Sequence, residues 1–337
     1  MAGIGGIRDP RRDAALLALL EANGLTLPEG ADDGAGLYDD DGRLIGCGFL
    51  KGGMIQGVAL APDRQGEGLA ATLIGALIQR AVARGLTSYQ VITRPDTAGR
   101  FTGLGFRRVA DASPHAVLLE GGARRAEAHA ERLRALARGR PAPRACLVMN
   151  GSPFTLGHRA LIERAASENA WAWALVVEED LSAFPFADRL RLMRMGTRDL
   201  PNVEVVPGGE LVISAKTFPA YFTKDAELAT AQGAMDAAVF CELVAPALGV
   251  TRRYVGTEPL DPATARYNEA LLDRLPREGI EVVVMERASA GGAPISASRA
   301  RQCLEEGDWE TLASMVPAHT LAYLRDVAAM RARASSP

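Results

Sequence analysis

The stretch CLVMNGSPFTLGHRALIERA, residues 146–165, decides the fold of this chain. Its apolar run from Cys146 to Asn150 has the length of a strand, and a helical pattern begins at about Gly157. The Gly/Ser/Pro-rich turn between them sets free backbone N–H groups and a positive helix end at the carboxyl edge of a sheet, which suits phosphate oxygens. Asn150, Gly151 and Phe154 belong to that turn and read as nucleotide-binding positions. His158, in the first helical turn, is placed to donate a hydrogen bond to charge developing on a phosphate, and Thr155 to do so through its hydroxyl. Gly157 has no side chain to block a nucleotide's approach. The bland alternative is that Gly and Thr cap a helix and that His158 is a solvated or core histidine. Its place after the first strand of a repeated pattern, where a switch point would fall, favours the functional reading.

Working outward, short apolar runs alternate with helical patterns to the end of the chain. ACLVMN, ALVVEE, NVEVVP, RYVG and IEVVVMER read as strands, separated by GHRALIERAASENA, FADRLRLMRMGTRDL, DAELATAQGAMDAAVFCELVAPAL and PATARYNEALLDRL, and followed by the helical ISASRARQCLEEG. Such alternation predicts a Rossmann-like α/β domain with a five-stranded parallel sheet covered on both faces. The second chemical signal follows the last of these strands. Ser296 and Ser298 open a helix, where they can cap it or hold phosphate, and Arg301 sits one turn on, where its guanidinium can clamp a triphosphate tail. Two phosphate-type turns, at the ends of the first and last strands, reinforce one another. Lys224 is a further contact for phosphate or carboxylate, with Lys216 competing for the role and a solvated surface lysine the plain alternative for each. Gly256, Glu258 and Asp261 are placed at the ribose end of the pocket, and Tyr267-Asn268 reads equally as helix-face packing.

Length and composition bound the rest. At 337 residues the chain exceeds a single core, and the Ala/Arg-rich segment GGARRAEAHAERLRALARGRPAPR, closed by Pro141 and Pro143, marks a boundary. We expect domains at 1–122 and 144–337 with a linker helix over 123–143. A net charge of −3 gives no electrostatic reason to bind nucleic acid. Four widely spaced cysteines fit neither a disulfide framework nor a metal cluster, so no metal ligands are assigned. No signal-peptide core precedes the domain and no run approaches ~18 apolar residues, so the expectation is a cytoplasmic protein without a membrane partner.

The T-x-G-H tetrad and the distal I-S-x-S-x-x-R resemble the nucleotidyltransferase superfamily. Four blocks narrow the resemblance: MNGSPFTLGHRALIERA, EEDLSAFPFADRLRLMRMGTRDLPNVEVVPGGELVISAKTFPAYFTKD, VGTEPLDPATARYN and PISASRARQCL, spanning about Cys146 to Leu304, are similar to the [citrate (pro-3S)-lyase] ligases. The resemblance implies an acid–thiol ligase in which acetate attacks the α-phosphate of ATP, pyrophosphate leaves, and the acetyl group passes to a thiol on the acyl-carrier subunit of citrate lyase, with Mg²⁺ on the triphosphate. Rival readings are an acetyl ligase for another carrier, such as that of malonate decarboxylase, and a nucleotidyltransferase that leaves the nucleotide on its product.

Before the boundary, a helix over Asp13 to Glu21, strands at GLYDDD, LIGCGFL and IQGVAL, a helix over Leu69 to Arg84, a strand at YQVITR and a last strand near Arg107 to Glu120 make a small α/β unit. Gln65, Gly66, Gly68 and Ala70 form another strand-to-helix turn suited to pyrophosphate. With FTGLGF at 101–106, that turn resembles the acetyl-CoA-binding segment of the GNAT acetyltransferases. The resemblance implies acetyl-CoA or a CoA-like group here, used for binding or for docking the carrier. No general base stands out beside the turn, where Glu67 lies within it and His115 is distant in sequence. Acetyl-CoA-dependent transfer by this domain is the remaining rival for the chain's activity.

Overall fold

Short apolar strands, buried along most of their length, build a mostly antiparallel sheet in the first part of the chain. The structure, a computed structural model, describes residues 2–178, 182–209, 211, 218, 225–257, 262–290 and 293–334. Contacts divide it into two compact units, 1–130 with 217–243 and 131–216 with 244–337.

In the first unit the chain runs β1 (Gly3–Gly6), α1 (Ala14–Ala22), β2 (Asp33–Tyr38), β3 (Leu44–Lys51), β4 (Met54–Leu60), α2 (Leu69–Ala83), β5 (Ser88–Thr93), α3 (Pro95–Thr102), β6 (Arg107–Ala112) and β7 (Ala116–Gly122). The helix α4 (Arg125–Ala137) follows. The sheet order is β1-β2-β3-β4-β5-β7-β6. The single strand expected over 107–120 is a hairpin, β6 against β7, because the chain turns through Ser113-Pro114. Apolar side chains of β3, β4 and β5 pack with Leu73, Leu77 and Phe101 from α2 and α3. Leu16 and Leu20 of α1 join Leu37, Ile45 and Phe49 in a second cluster.

One pairing in this sheet is parallel, β4 with β5, and it holds only at Met54↔Gln90 and Ile55↔Val91. The cause lies in β4. Its register with β3 slips between Cys47 and Phe49, and Gly57, at φ +57°, takes the left-handed conformation that a bulge uses. Beyond it β4 and β5 part, opening a cavity of about 620 Å³ between them and the start of α2. A later segment also belongs to this unit: α7 (Asp225–Val239) packs on β6 and β7, and Glu242 accepts a hydrogen bond from the Asp111 backbone N–H at 3.2 Å. The unit is therefore not one continuous run of sequence.

The second unit holds β8 (Arg144–Met149), α5 (Leu156–Glu168), β9 (Trp171–Val176), α6 (Phe186–Gly196), β10 (Val203–Pro207), α8 (Ala245–Leu248), β11 (Arg252–Gly256), α9 (Pro262–Arg274) and β12 (Glu281–Met285). A two-residue ribbon, Ser289–Ala290 with Ala293–Pro294, then leads to α10 (Ala297–Glu306), α11 (Trp309–Met315) and α12 (Ala318–Ala334). All five strands pair parallel in the order β10-β9-β8-β11-β12, the architecture expected from the alternation. Ala145, Leu147, Ala172 and Ala174 lie buried beneath Ile162 of α5 and Leu192 of α6. α11 and α12 lie beyond the last element read from sequence.

Order reverses between β8 and β11. Those two strands pair only at Arg252↔Ala145 and Arg253↔Cys146, whereas β8 pairs with β9 along its whole length. Their carboxyl ends separate, which is where open α/β sheets place ligands. One helical stretch, Leu228–Leu248, is long and apolar enough to cross a membrane by length and composition, contrary to the expectation that no run approaches that length. It is 61% buried inside the protein, as a core helix is.

Candidate active site at the switch point

The parted ends of β8 and β11 open into a cavity of about 960 Å³. Asn150, Ser152, Thr155, Gly157 and His158 line one side, Gly256, Tyr267 and Asn268 another, and Ser296, Ser298 and Arg301 a third. Residues 143 positions apart in sequence, His158 and Arg301, thus line one cavity. The turn after β8 begins with Gly151 at φ +61°, where an added Cβ would stand 2.7 Å from Met193 Sδ. Phe154 is fully buried and stacks on the His158 ring at 6.0 Å between centroids.

Thr155 caps α5. Its backbone N–H donates to His158 Nδ1 at 3.1 Å, and its hydroxyl oxygen accepts from the His158 N–H at 3.3 Å. A ring nitrogen that accepts carries no proton, so the neutral imidazole keeps its proton on Nε2. Burial, aided by repulsion from Arg287, pushes His158 down to about 4. The ring is therefore neutral near pH 7 and offers one donor. The Thr155 hydroxyl lies 2.9 Å from Nδ1 and the residue is buried, so the side chain's contacts are with the cap.

Across the cavity, Ser296 caps α10 by accepting from the Arg299 N–H at 3.0 Å. Arg301 donates to the Ser152 carbonyl at 2.6 Å and to Ser298 Oγ at 2.9 Å, which ties the two phosphate-type turns together. Gly256 closes β11 with open space around its Cα and accepts from Asn268 Nδ2 at 3.0 Å. Tyr267, read from sequence as equally a packing residue, lines the cavity and accepts from Arg253 at 2.8 Å. Gly157 faces Ile295, with room for ordinary contact only. Lys224, Lys216, Glu258 and Asp261 lie outside the described residues.

Sequence reading missed three arginines here. Arg253 and Arg287 line the cavity, and Arg287 is held on the Thr257 carbonyl at 2.7 Å. Arg189 lies behind the wall, fully buried. Arg253 and Arg287 stand outside the motifs read from sequence, and Arg189, though inside the second block, is one of several arginines in a helical pattern, so nothing in spacing singled any of them out.

In the first unit, Gln65, Gly66, Gly68 and Ala70 line the cavity between β4 and β5, with Arg94, Arg100 and Phe101 opposite. Gly66 and Gly68 have φ of +89° and +76° and open space beside them. Asn23 and Gln65 anchor the turn by donating to the Leu60 carbonyl. Among the described residues, no carboxylate, histidine, tyrosine or cysteine lines this cavity. Arg64 holds the Glu67 carboxyl below its usual range through a bidentate pair, and His115 sits in the β6–β7 turn.

A five-stranded parallel sheet with a cavity at its switch point defines a Rossmann-like α/β unit, here in one chain with a GNAT-like unit. Comparison with known proteins gives the particular family. The Citrate lyase ligase C-terminal domain matches residues 144–324, and the Acetyltransferase (GNAT) family matches residues 15–106. The [Citrate [pro-3S]-lyase] ligase of Klebsiella pneumoniae is 37% identical over 96% of this chain and 95% of its own length. That of Escherichia coli strain K12 is 40% identical over 85% and 83%, and that of Haemophilus influenzae 35% identical over 94% and 96%. The chain belongs to the citrate lyase ligase family.

Proposed function

We propose that this protein activates acetate with ATP and passes the acetyl group to the thiol of the citrate lyase acyl-carrier prosthetic group. A carboxylate oxygen of acetate bonds to the α-phosphorus while the bond to the β-phosphate oxygen breaks, giving acetyl-adenylate and pyrophosphate. The carrier thiol then gives up its proton and attacks the acetyl carbon, and AMP leaves. The observation that carries this reading is that a neutral His158, donating through Nε2, and Arg301 line one cavity at the switch point. His158 would bond a non-bridging α-phosphate oxygen as its charge grows, and Arg301 with Ser298 would hold the β- and γ-phosphates. Thr155 then acts through His158, by holding its ring.

The thiol comes from the partner in this reading. All four cysteines of the chain are buried, and burial pushes Cys47 up to about 12, far from the thiolate that attack requires. Mg²⁺ would arrive on the triphosphate: among the described residues no group of three or more His, Cys, Asp or Glu is placed to hold a metal, and this ion commonly relies on substrate phosphates. Lys224, with Lys216 as its rival, stays in the proposal as a further anion contact. The cavity of the first unit would take a CoA-like group as a holding or docking site, since its described lining offers cations and amides and, among the described residues, no proton acceptor of the usual kinds.

Exchange of labelled pyrophosphate into ATP, run with acetate and without carrier, tests the first half. Acetate-dependent exchange is the expected result. Its absence, with a nucleotide found on some other product, would favour a transferase that keeps the nucleotide on its product.

A further inference from the structure

Arg189 is fully buried on α6, where its guanidinium meets the ends of two strands. Its Nη1 donates to the Asn150 carbonyl at 2.7 Å, to Asn150 Oδ1 at 2.6 Å and to the Val177 carbonyl at 2.9 Å, while Nε donates to the Phe184 carbonyl at 3.1 Å. These acceptors lie at the carboxyl ends of β8 and β9 and at the approach to α6. A planar guanidinium can meet such separate acceptors at once, which a lysine ammonium on a flexible stem cannot match. One effect is to order the turn that carries His158.

The second effect falls on the Asn150 side chain. Its Oδ1 accepts from Arg189 and also from Ser182 Oγ at 3.0 Å. Both lone pairs are then in use, which fixes the amide with its oxygen toward the protein. What Asn150 presents to the cavity it lines is its Nδ2 group, with two N–H donors. The same cavity is lined by His158, Ser298 and Arg301. A cavity so lined takes an oxygen-rich anion.

We infer that Arg189 is a positioning residue for the reaction: it turns Asn150 into an obligate donor that binds an anionic oxygen of the substrate, the carboxylate of the acid or a phosphate of ATP. This rests on the ligase reading of the same cavity. Arg189 touches no substrate and acts through Asn150, whose two faces therefore have different partners.

The test uses the full-length protein and the variants Asn150→Asp, Asn150→Ala, Arg189→Lys and Arg189→Lys with Asn150→Ala. Asn150→Asp is nearly isosteric and keeps an oxygen toward Arg189, so its thermal midpoint should stay at or above that of the parent. It nevertheless replaces the donor by a repelling oxygen. Acetate-dependent exchange should fall roughly 10- to 100-fold, the size expected for a hydrogen bond to a charged group. Calorimetric titration with ATP and with acetate, each alone, together with the two KM values, tells the sources apart: weakened acetate binding places Asn150 on the carboxylate, weakened ATP binding on a phosphate. Arg189→Lys should lower the rate in the parent but add less than about threefold once Asn150 is alanine. Independent, multiplying losses would overturn the inference, as would an Asn150→Asp protein that binds and exchanges like the parent. No exchange by the parent itself would instead count against the proposed function. Should Arg189→Lys fail to fold, the two Asn150 variants still decide whether the amide is a donor to substrate.

Discussion

Thr155 and His158 hold each other through reciprocal hydrogen bonds, backbone N–H to ring Nδ1 at 3.1 Å and backbone N–H to hydroxyl oxygen at 3.3 Å. The helix cap is thus also the device that selects the histidine tautomer. A capping residue and a donor residue, which sequence reading treats as alternatives, are here one arrangement.

His158→Ala should remove that donor and lower acetate-dependent exchange by ~10²–10³. Half of the cap survives, because the Thr155 hydroxyl can still accept the backbone N–H at position 158. Far-ultraviolet circular dichroism should be unchanged. A folded variant with the parent's exchange rate would remove His158 from the mechanism.

Protonation gives an independent check. With His158 held down to about 4, chiefly by burial, kcat/KM for exchange should run flat through pH 6.5 and fall only toward pH 4. The sign for stability is the same. The unfolded chain binds the proton more readily, so stability present above about pH 6.5 declines as pH falls toward about 4 and then levels off. Arg287→Gln removes the second cause of the shift and should move the acid limb upward. A limb already at pH 6.5 in the parent would mean that another group, or a charged His158, controls the rate.

Gly151→Ala should destabilise the second unit by about 1–3 kcal/mol. The residue sits at φ +61°, and the new methyl would stand 2.7 Å from the sulfur of Met193, which is itself fully buried. Neither strain has an easy escape. A fall in thermal midpoint of several degrees is expected from a loss of that size in a domain of this length. An unchanged midpoint would show that the turn relaxes.

Much of this was legible in the chain. The strand, turn and helix over 146–165 read directly, since a short continuous apolar run, a Gly/Ser/Pro break and a helical repeat each have one physical cause, and Ser296, Ser298 and Arg301 followed from a second such turn. Arg189, Arg253 and Arg287 were not legible, because their roles arise from strand ends that only the sheet order brings together. The hairpin over 107–122 was read as one strand, its turn through Ser113-Pro114 being short. α7 offered no sign that it packs on β6 and β7, since an apolar helix face does not say which sheet it will cover.

Arg301 carries the last prediction. Its two terminal nitrogens already donate to the Ser152 carbonyl at 2.6 Å and to Ser298 Oγ at 2.9 Å, which holds the guanidinium plane between the two phosphate-type turns. A lysine at 301 keeps the charge but cannot bond both turns while meeting two phosphate oxygens, so Arg301→Lys should raise the apparent KM for ATP several-fold. AMP lacks the β- and γ-phosphates, and its affinity should change little. Binding of ATP, ADP and AMP to the variant, each by calorimetry, makes the comparison. If AMP affinity falls as far as ATP affinity in a protein with an unchanged melting profile, Arg301 contacts the α-phosphate or the nucleoside, and the triphosphate tail lies elsewhere in the cavity.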